Sequence, residues 1–131
     1  MRKLQFLPVL IICYLLPMAV MADQIDGIAE LFKQANATEL TKKLAPVLDV
    51  SILKKEETYS NTQAGIILSK FFTQNKPKSV KVLHRVNTSN TYRFGVLLLV
   101  TDKGTFRVSL TLNSVKGELQ IIDLRIEAEK A

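Results

Sequence analysis

The chain has 131 residues, 47% hydrophobic and 23% charged, with a formal net charge of +6, one cysteine and one histidine. One core is the natural organisation at this length, since two domains would each be too small to bury enough apolar surface. A lone histidine and a lone cysteine cannot furnish the ligand set of a structural zinc site. The mild basic surplus is spread along the chain rather than gathered in a block, so nucleic acid is not an expected partner.

Met1-Arg2-Lys3 forms a basic head, followed by an apolar run through Phe6, Leu7, Val9, Leu10, Ile11, Ile12, Leu15 and Leu16 that breaks at Pro17. Val20-Met21-Ala22 then places a small residue at a cleavage position, which completes the plan of a signal peptide. Residues 1–22 are therefore expected to direct export to the periplasm or beyond and to be removed, leaving residues 23–131 as a single domain. Gln5, Pro8 and Pro17 make the run poor for a span that needs about 20 apolar residues, so contact with the membrane is expected only through the export signal. Ile12 stands where a small residue should precede a lipid-modified cysteine, and Cys13 lies mid-run. With Cys13 removed, the mature domain would hold its fold without disulfides.

In the mature chain, Ile25, Ile28, Leu31, Phe32 and Ala35 recur at helical spacing, with Gly27 weakening the helix slightly. Asn36 precedes Glu39 by three residues, as at the start of a second short helix, which Pro46 ends. Residues 47–55 carry a short strand around Val50 and Ile52. Ser60-Asn61-Thr62-Gln63 is a capping box, and Ala64, Ile67, Leu68, Phe71 and Phe72 continue as the apolar stripe of a third, longer helix. After a polar linker around Pro77, a strand over residues 79–86 directs Val80, Val82 and His84 to one side and Lys81, Leu83 and Arg85 to the other. Three longer strands follow over residues 90–101, 105–114 and 118–128. Their turns, Asp102-Lys103-Gly104 and Val115-Lys116-Gly117, read as three-residue bulged loops with glycine at the left-handed position.

Pairing Thr101 with Thr105 and Ser114 with Glu118 puts Phe94 opposite Leu112, Val96 opposite Leu110, Leu98 opposite Val108 and Val100 opposite Phe106. It also sets Phe106, Val108 and Leu110 against Ile126, Leu124 and Ile122. The even-numbered face is then the core, because the register that buries the most apolar side chains is the one selected. On the odd face Arg107 meets Arg125, with Asp123 and Glu127 on the diagonals. Leu97, Leu99, Leu119 and Ile121 share that face and, with Leu83, form an apolar patch. Such a patch either associates, here as a sheet-to-sheet homodimer, or is covered by the chain itself. Helices early and strands late make the class α+β: a curved antiparallel sheet, four main strands plus a short early one, wrapped around a long helix, with two further N-terminal helices.

The order of elements resembles the nuclear transport factor two-like superfamily, also called the cystatin-like cone, and within it an uncharacterised bacterial secreted domain-of-unknown-function family. The residues that carry the resemblance are Gln63-Ala64 leading to Phe71-Phe72, His84, Tyr92-Arg93-Phe94-Gly95, Gly104-Thr105-Phe106-Arg107-Val108 and Ile121-Ile122-Asp123-Leu124-Arg125-Ile126-Glu127. Val86 departs from it, a glycine being expected shortly after the histidine. The resemblance implies a sheet curved around a long helix, often with a pocket in the cone, frequent dimers, and no known activity.

No catalytic constellation is visible. His84 and Tyr92 are the pocket candidates: His84 as a residue that binds or transfers a proton, or as a hydrogen-bonded histidine at the mouth of the core, and Tyr92 as its partner or as a core-edge aromatic. The inward positions of the last three strands carry no carboxylate, and no glycine-rich phosphate loop or glutamine-valine-glycine inhibitor hairpin is present. Asn36-Ala37-Thr38 and Asn87-Thr88-Ser89 match the glycosylation pattern, as short polar loops do by chance. The expected function is an exported, non-enzymatic binding or interaction domain for a small ligand or protein partner, without cofactor or metal. The alternative is a small-molecule enzyme of the same fold with His84 as general acid or base.

Overall fold

The structure, a computed structural model, describes residues 24–129; the expected signal peptide lies outside the described residues. Helices α1 (Gln24–Lys33) and α2 (Ala37–Lys43) lead into strands β1 (Leu44–Ile52) and β2 (Lys55–Ser60). Helix α3 (Asn61–Gln74) follows, then β3 (Pro77–Ser89), β4 (Tyr92–Thr101), β5 (Gly104–Val115) and β6 (Glu118–Ala128). The helix starts are set by the predicted side chains. Asn36 accepts a hydrogen bond from the Glu39 N–H, and Ser60 and Gln63 form the reciprocal capping box. Each cap is worth about 1 kcal/mol.

The six strands form one sheet in the order β2-β1-β6-β5-β4-β3. The early chain thus supplies two strands rather than one short one, and β1 runs parallel to β6 while every other neighbour pair is antiparallel. The sheet is mixed, and the α+β class stands. The helix stops at Lys43, before Pro46 and one residue short of the expected end at Leu44, and the chain continues directly into β1. The proline sits at an exposed position in a register break between Leu44 and Asp49, where no ladder donor is needed.

The β4–β5 pairing differs from the expectation by one residue. Thr101 pairs with Gly104, so the loop is the two residues Asp102-Lys103, and Leu97 faces Val108 while Leu99 faces Phe106. At the next hairpin Val115 pairs with Glu118 across Lys116-Gly117. Both loop residues are left-handed, with φ of 52° and 85°, as in the two-residue turn that suits strand twist. A bulge at Ile122 then shifts the pairing again, so that Leu112 meets Ile121 but Leu110 meets Leu124 and Val108 meets Ile126. Leu124 and Ile126 point inward as expected, while Ile121 takes the place expected for Ile122.

The three helices lie on the concave side of the sheet. Phe32, Leu40, Leu68, Phe71 and Phe72 from the helices meet Leu97, Leu99, Phe106, Val108, Leu110 and Leu124 from the strands in one core. Two close approaches require glycine. A Cβ at Gly95 would lie 2.8 Å from the Ile25 side chain of α1, and one at Gly65 would lie 2.2 Å from Thr41 Oγ1 of α2. Among the described residues no helix is long and apolar enough to cross a membrane.

Candidate ligand cleft

The one-residue change of register moves several candidate residues to the opposite face. Leu97, Leu99 and Ile121, expected on the outer surface, are buried at 0%, 0% and 1% exposure. Leu119 is half-buried against the same core. The expected outer patch of these four leucine and isoleucine side chains is therefore interior. Leu83 is exposed because it is the bulge residue between the Val82–Leu97 and His84–Val96 pairs. That same bulge turns His84 outward and Arg85 inward, the reverse of the simple alternation. His84 is exposed on the convex face, and Arg85 reaches back to Asp26 on α1. Tyr92 pairs with Ser89 and Asn113. It lies four residues along β4 from the Val96 that His84 faces, roughly 13 Å at the strand rise, so the two are not hydrogen-bond partners.

Inside the cone the space is filled. Phe71 packs edge-on against Phe106 at 5.1 Å between ring centroids and against Phe72 at 6.0 Å, and Phe72 meets Phe32 at 5.7 Å. Edge-to-face packing at these spacings is favourable beyond the buried area alone.

The convex face divides into two halves. Over β2, β1, β6 and β5 it is ionic. Arg107 lies opposite Glu127, not Arg125, and forks onto Glu129, at 3.0 Å from Nε to Oε2 and 3.3 Å from Nη2 to Oε1. This pairing holds the guanidinium above its ordinary pKa, chiefly through the hydrogen bond. Arg125 lies 3.7 Å from both Glu56 and Asp123. Burial pushes the Asp123 carboxyl above its usual range, Asp49 and Glu56 add to the effect, and Arg125 opposes it. Over β4 the convex face is apolar: Phe94, Val96, Leu98 and Val100 alternate with the inward Leu97 and Leu99.

A cleft opens on the helical side, between α1, α2 and the β5–β6 hairpin. Its volume is about 340 Å³, and Ile28, Leu31, Leu112 and Leu119 line it together with Gln24, Gly27, Glu39 and Lys43. That is at the small end of the range of about 300–1,000 Å³ for ligand sites, and an apolar floor with a few polar groups is their usual make-up. A more polar hollow of about 460 Å³ continues from it past Gln24, Lys43 and Leu119 to Lys42, Asn90, Glu118 and Gln120. Within the cleft Glu39 is held by Lys42 at 2.7 Å. The Oε1 atom of Gln120 is buried without a hydrogen-bond partner among the described residues, an arrangement that native folds rarely leave uncompensated.

Of the cleft residues the sequence singles out only Leu119, and that as part of an outer apolar patch rather than of a ligand site. Gly27 was the available signal, a glycine inside a helical pattern with a cost and no evident reason. Lys43 gave none, since a lysine in the last turn of a helix is ordinary. Neither His84 nor Tyr92 lines this cleft. Among the described residues no three His, Cys, Asp or Glu side chains are grouped as metal ligands would be.

Comparison with known proteins gives a family and a fold. The family described as a domain of unknown function, DUF4783, matches residues 25–127. A DUF4783 family protein from Bacteroides uniformis is 27% identical with a TM-score of 0.78, covering 83% of this chain and 100% of its own. One from Bacteroides ovatus is 25% identical with a TM-score of 0.75, covering 80% and 94%. A domain of unknown function with a cystatin-like fold from Nostoc punctiforme, 8% identical with a TM-score of 0.62 over 79% of this chain and 71% of its own, shares the fold alone. No functionally curated protein matches the chain.

Proposed function

The chain belongs to the DUF4783 family, a domain of unknown function on a cystatin-like cone, and from that premise we propose that it is an exported, non-enzymatic binding domain whose ligand sits in the cleft between α1, α2 and the β5–β6 hairpin. The observation that carries this reading is the contrast between the cone interior and the cleft at its margin. The cone interior is occupied by Phe71, Phe72 and Phe106, each at most 7% exposed. The cleft at its margin presents apolar side chains beside charged ones in an open hollow of small-molecule size. The enzymatic alternative with His84 as acid or base finds less support, because His84 projects from the convex face instead of into the cone. Amide NMR spectra of the exported protein, recorded against a small-molecule library, test the proposal. Shifts clustered at Gly27, Leu31, Leu112 and Leu119 support it; ligands that perturb only His84 and Tyr92 overturn it.

A second reading, the sheet-to-sheet dimer, is favoured by the convex stripe of Phe94, Val96, Leu98 and Val100. We propose this stripe as the contact, in place of the leucines that turned out to be core. Its neighbours on β3 and β5, Lys81 opposite Leu98 on one side and Arg107 on the other, frame an apolar centre with charge, as self-associating surfaces do. Solution mass measured for wild type and Leu98→Lys decides: a wild-type dimer reduced to monomer by the substitution supports it, and a monomeric wild type ends it.

A further inference from the structure

We infer that the cleft takes a small amphipathic carboxylic acid, with its carboxylate on Lys43 and its apolar body laid against the helix backbone at Gly27; this deepens the binding reading above and rests on it. Gly27 is the first support. It lies within α1, where alanine would favour the helix. Its φ is not in the left-handed region, and a Cβ placed there meets nothing within 4 Å. Neither packing nor a turn therefore requires glycine. What the missing side chain does provide is room for another molecule to approach the helix backbone closely, and the residue lines the cleft.

The floor supplies the second support. Ile28 and Leu112 are 1% exposed and belong to the core, while Leu31 and Leu119 are half-buried at its edge. Together they offer an apolar surface continuous with the interior, suited to a short acyl chain or a single ring. Charge supplies the third. Lys42 neutralises Glu39, but Lys43 makes no ion pair within 4.0 Å among the described residues. One lysine without a counter-ion at the rim of an apolar floor matches one carboxylate on an apolar body. A phosphate would call for the fork of an arginine or several converging donors, and no arginine lines either hollow. Glu118 in the polar extension further disfavours a multiply charged anion.

The test uses octanoate and phenylpropanoate, each against its neutral amide, with the exported protein in titration calorimetry and amide NMR. The variants are Lys43→Gln, Gly27→Phe and Gly27→Ala. The acids are expected to bind better than their amides, and Lys43→Gln to weaken the acids about tenfold, the scale of one charge-assisted contact, while leaving the amides unchanged. Gly27→Phe fills the approach and abolishes both. Gly27→Ala has open space and helix propensity in its favour, so it is expected to fold at least as well as wild type and to weaken binding less than Gly27→Phe; a wild-type melting temperature for Gly27→Phe shows that its loss of binding is occlusion and not misfolding. Acids and amides binding alike, with Lys43→Gln silent, overturns the carboxylate inference and leaves the binding cleft standing. No binding of either acid overturns the inference as well. Binding that survives Gly27→Phe but is lost in Leu98→Lys places the ligand on the convex stripe and overturns the cleft itself.

Discussion

Replacing Leu97 and Leu98 one at a time by alanine tests the register on which every statement about faces depends. The two leucines are adjacent, chemically identical and in the middle of β4. Leu97 has no exposed surface and lies in the core opposite Val108 and Val82, whereas Leu98 points to the convex face between Lys81 and Arg107. Truncating Leu97 removes buried carbon worth about 0.8 kcal/mol per methylene and leaves a cavity, so the expected loss is about 3 kcal/mol, within the usual span for buried leucines. Leu98 is half-buried against long polar side chains that can close over the gap, and its loss is expected to be about 1 kcal/mol. In a domain of this size the first change lowers the melting temperature by roughly 12–24 °C and the second by a third of that. Urea unfolding followed by circular dichroism, at two protein concentrations to separate folding from association, gives both values, with an unchanged m-value as the check on two-state behaviour. If Leu98→Ala costs as much as Leu97→Ala, or more, the β4–β5 register is wrong and the convex stripe is imaginary.

Three further outcomes follow from the packing and the charges. The folded-state pKa of Asp123 is raised above its unfolded value, so protonation favours the fold; that stabilisation is fully present below the unfolded value and is lost as pH rises through the folded one. Asp123→Asn should therefore be more stable than wild type at neutral pH, with the difference closing below about pH 4; a less stable variant at neutral pH would mean that the contact with Arg125 dominates. Gly65→Ala drives a methyl group into Thr41 and should cost about 1–3 kcal/mol, with part of it restored by Thr41→Ala, as a thermal-unfolding double-mutant cycle would show. Ser60→Ala removes the side-chain acceptor of the α3 capping box and should cost about 1 kcal/mol by urea titration, while Asn61→Ala, one residue on, should cost much less.

Local chemistry was legible where one side chain decides the outcome. Asn36, Ser60 and Gln63 announce their helix starts because a capping oxygen has a single task. The face of a strand is a collective property, and there the reading failed in a particular way. Val96, Leu97, Leu98, Leu99 and Val100 are apolar in both phases, so burial cannot choose between registers differing by one. The choice passes to the loop, and Asp102-Lys103-Gly104 is compatible with a two-residue or a three-residue connection. The bulges at Leu83 and Ile122 were invisible for a related reason: each inverts the alternation along the rest of its strand, and no turn residue marks the extra position. Alternation with Val80 and Val82 directs His84 to the cone, and the single extra residue at Leu83 reverses it. The cleft was hidden because it joins two consecutive helices to a hairpin far along the chain, and none of its residues is unusual in its own element except Gly27.

The filled cone bears on how far likeness of fold can be carried toward function. A pocket in the cone exists only where the helix and the inward strand positions leave it empty, and those positions belong to each sequence rather than to the fold. Here Phe32, Phe71, Phe72 and Phe106 interlock from two helices and one strand, and opening that space would sacrifice edge-to-face contacts and several buried aromatic surfaces together. A ligand bound at the margin asks for no such loss. The cleft walls come from one side of α1, from Glu39 and Lys43 of α2 and from Leu112 and Leu119 of the β5–β6 hairpin, and their polar members can change without disturbing the aromatic centre. Gly65 and Gly95 are fixed by contact with Thr41 and Ile25, whereas Gly27 touches nothing a side chain would meet. Of these three glycines only Gly27 lacks a reason within the fold, and it is the one that lines the cleft.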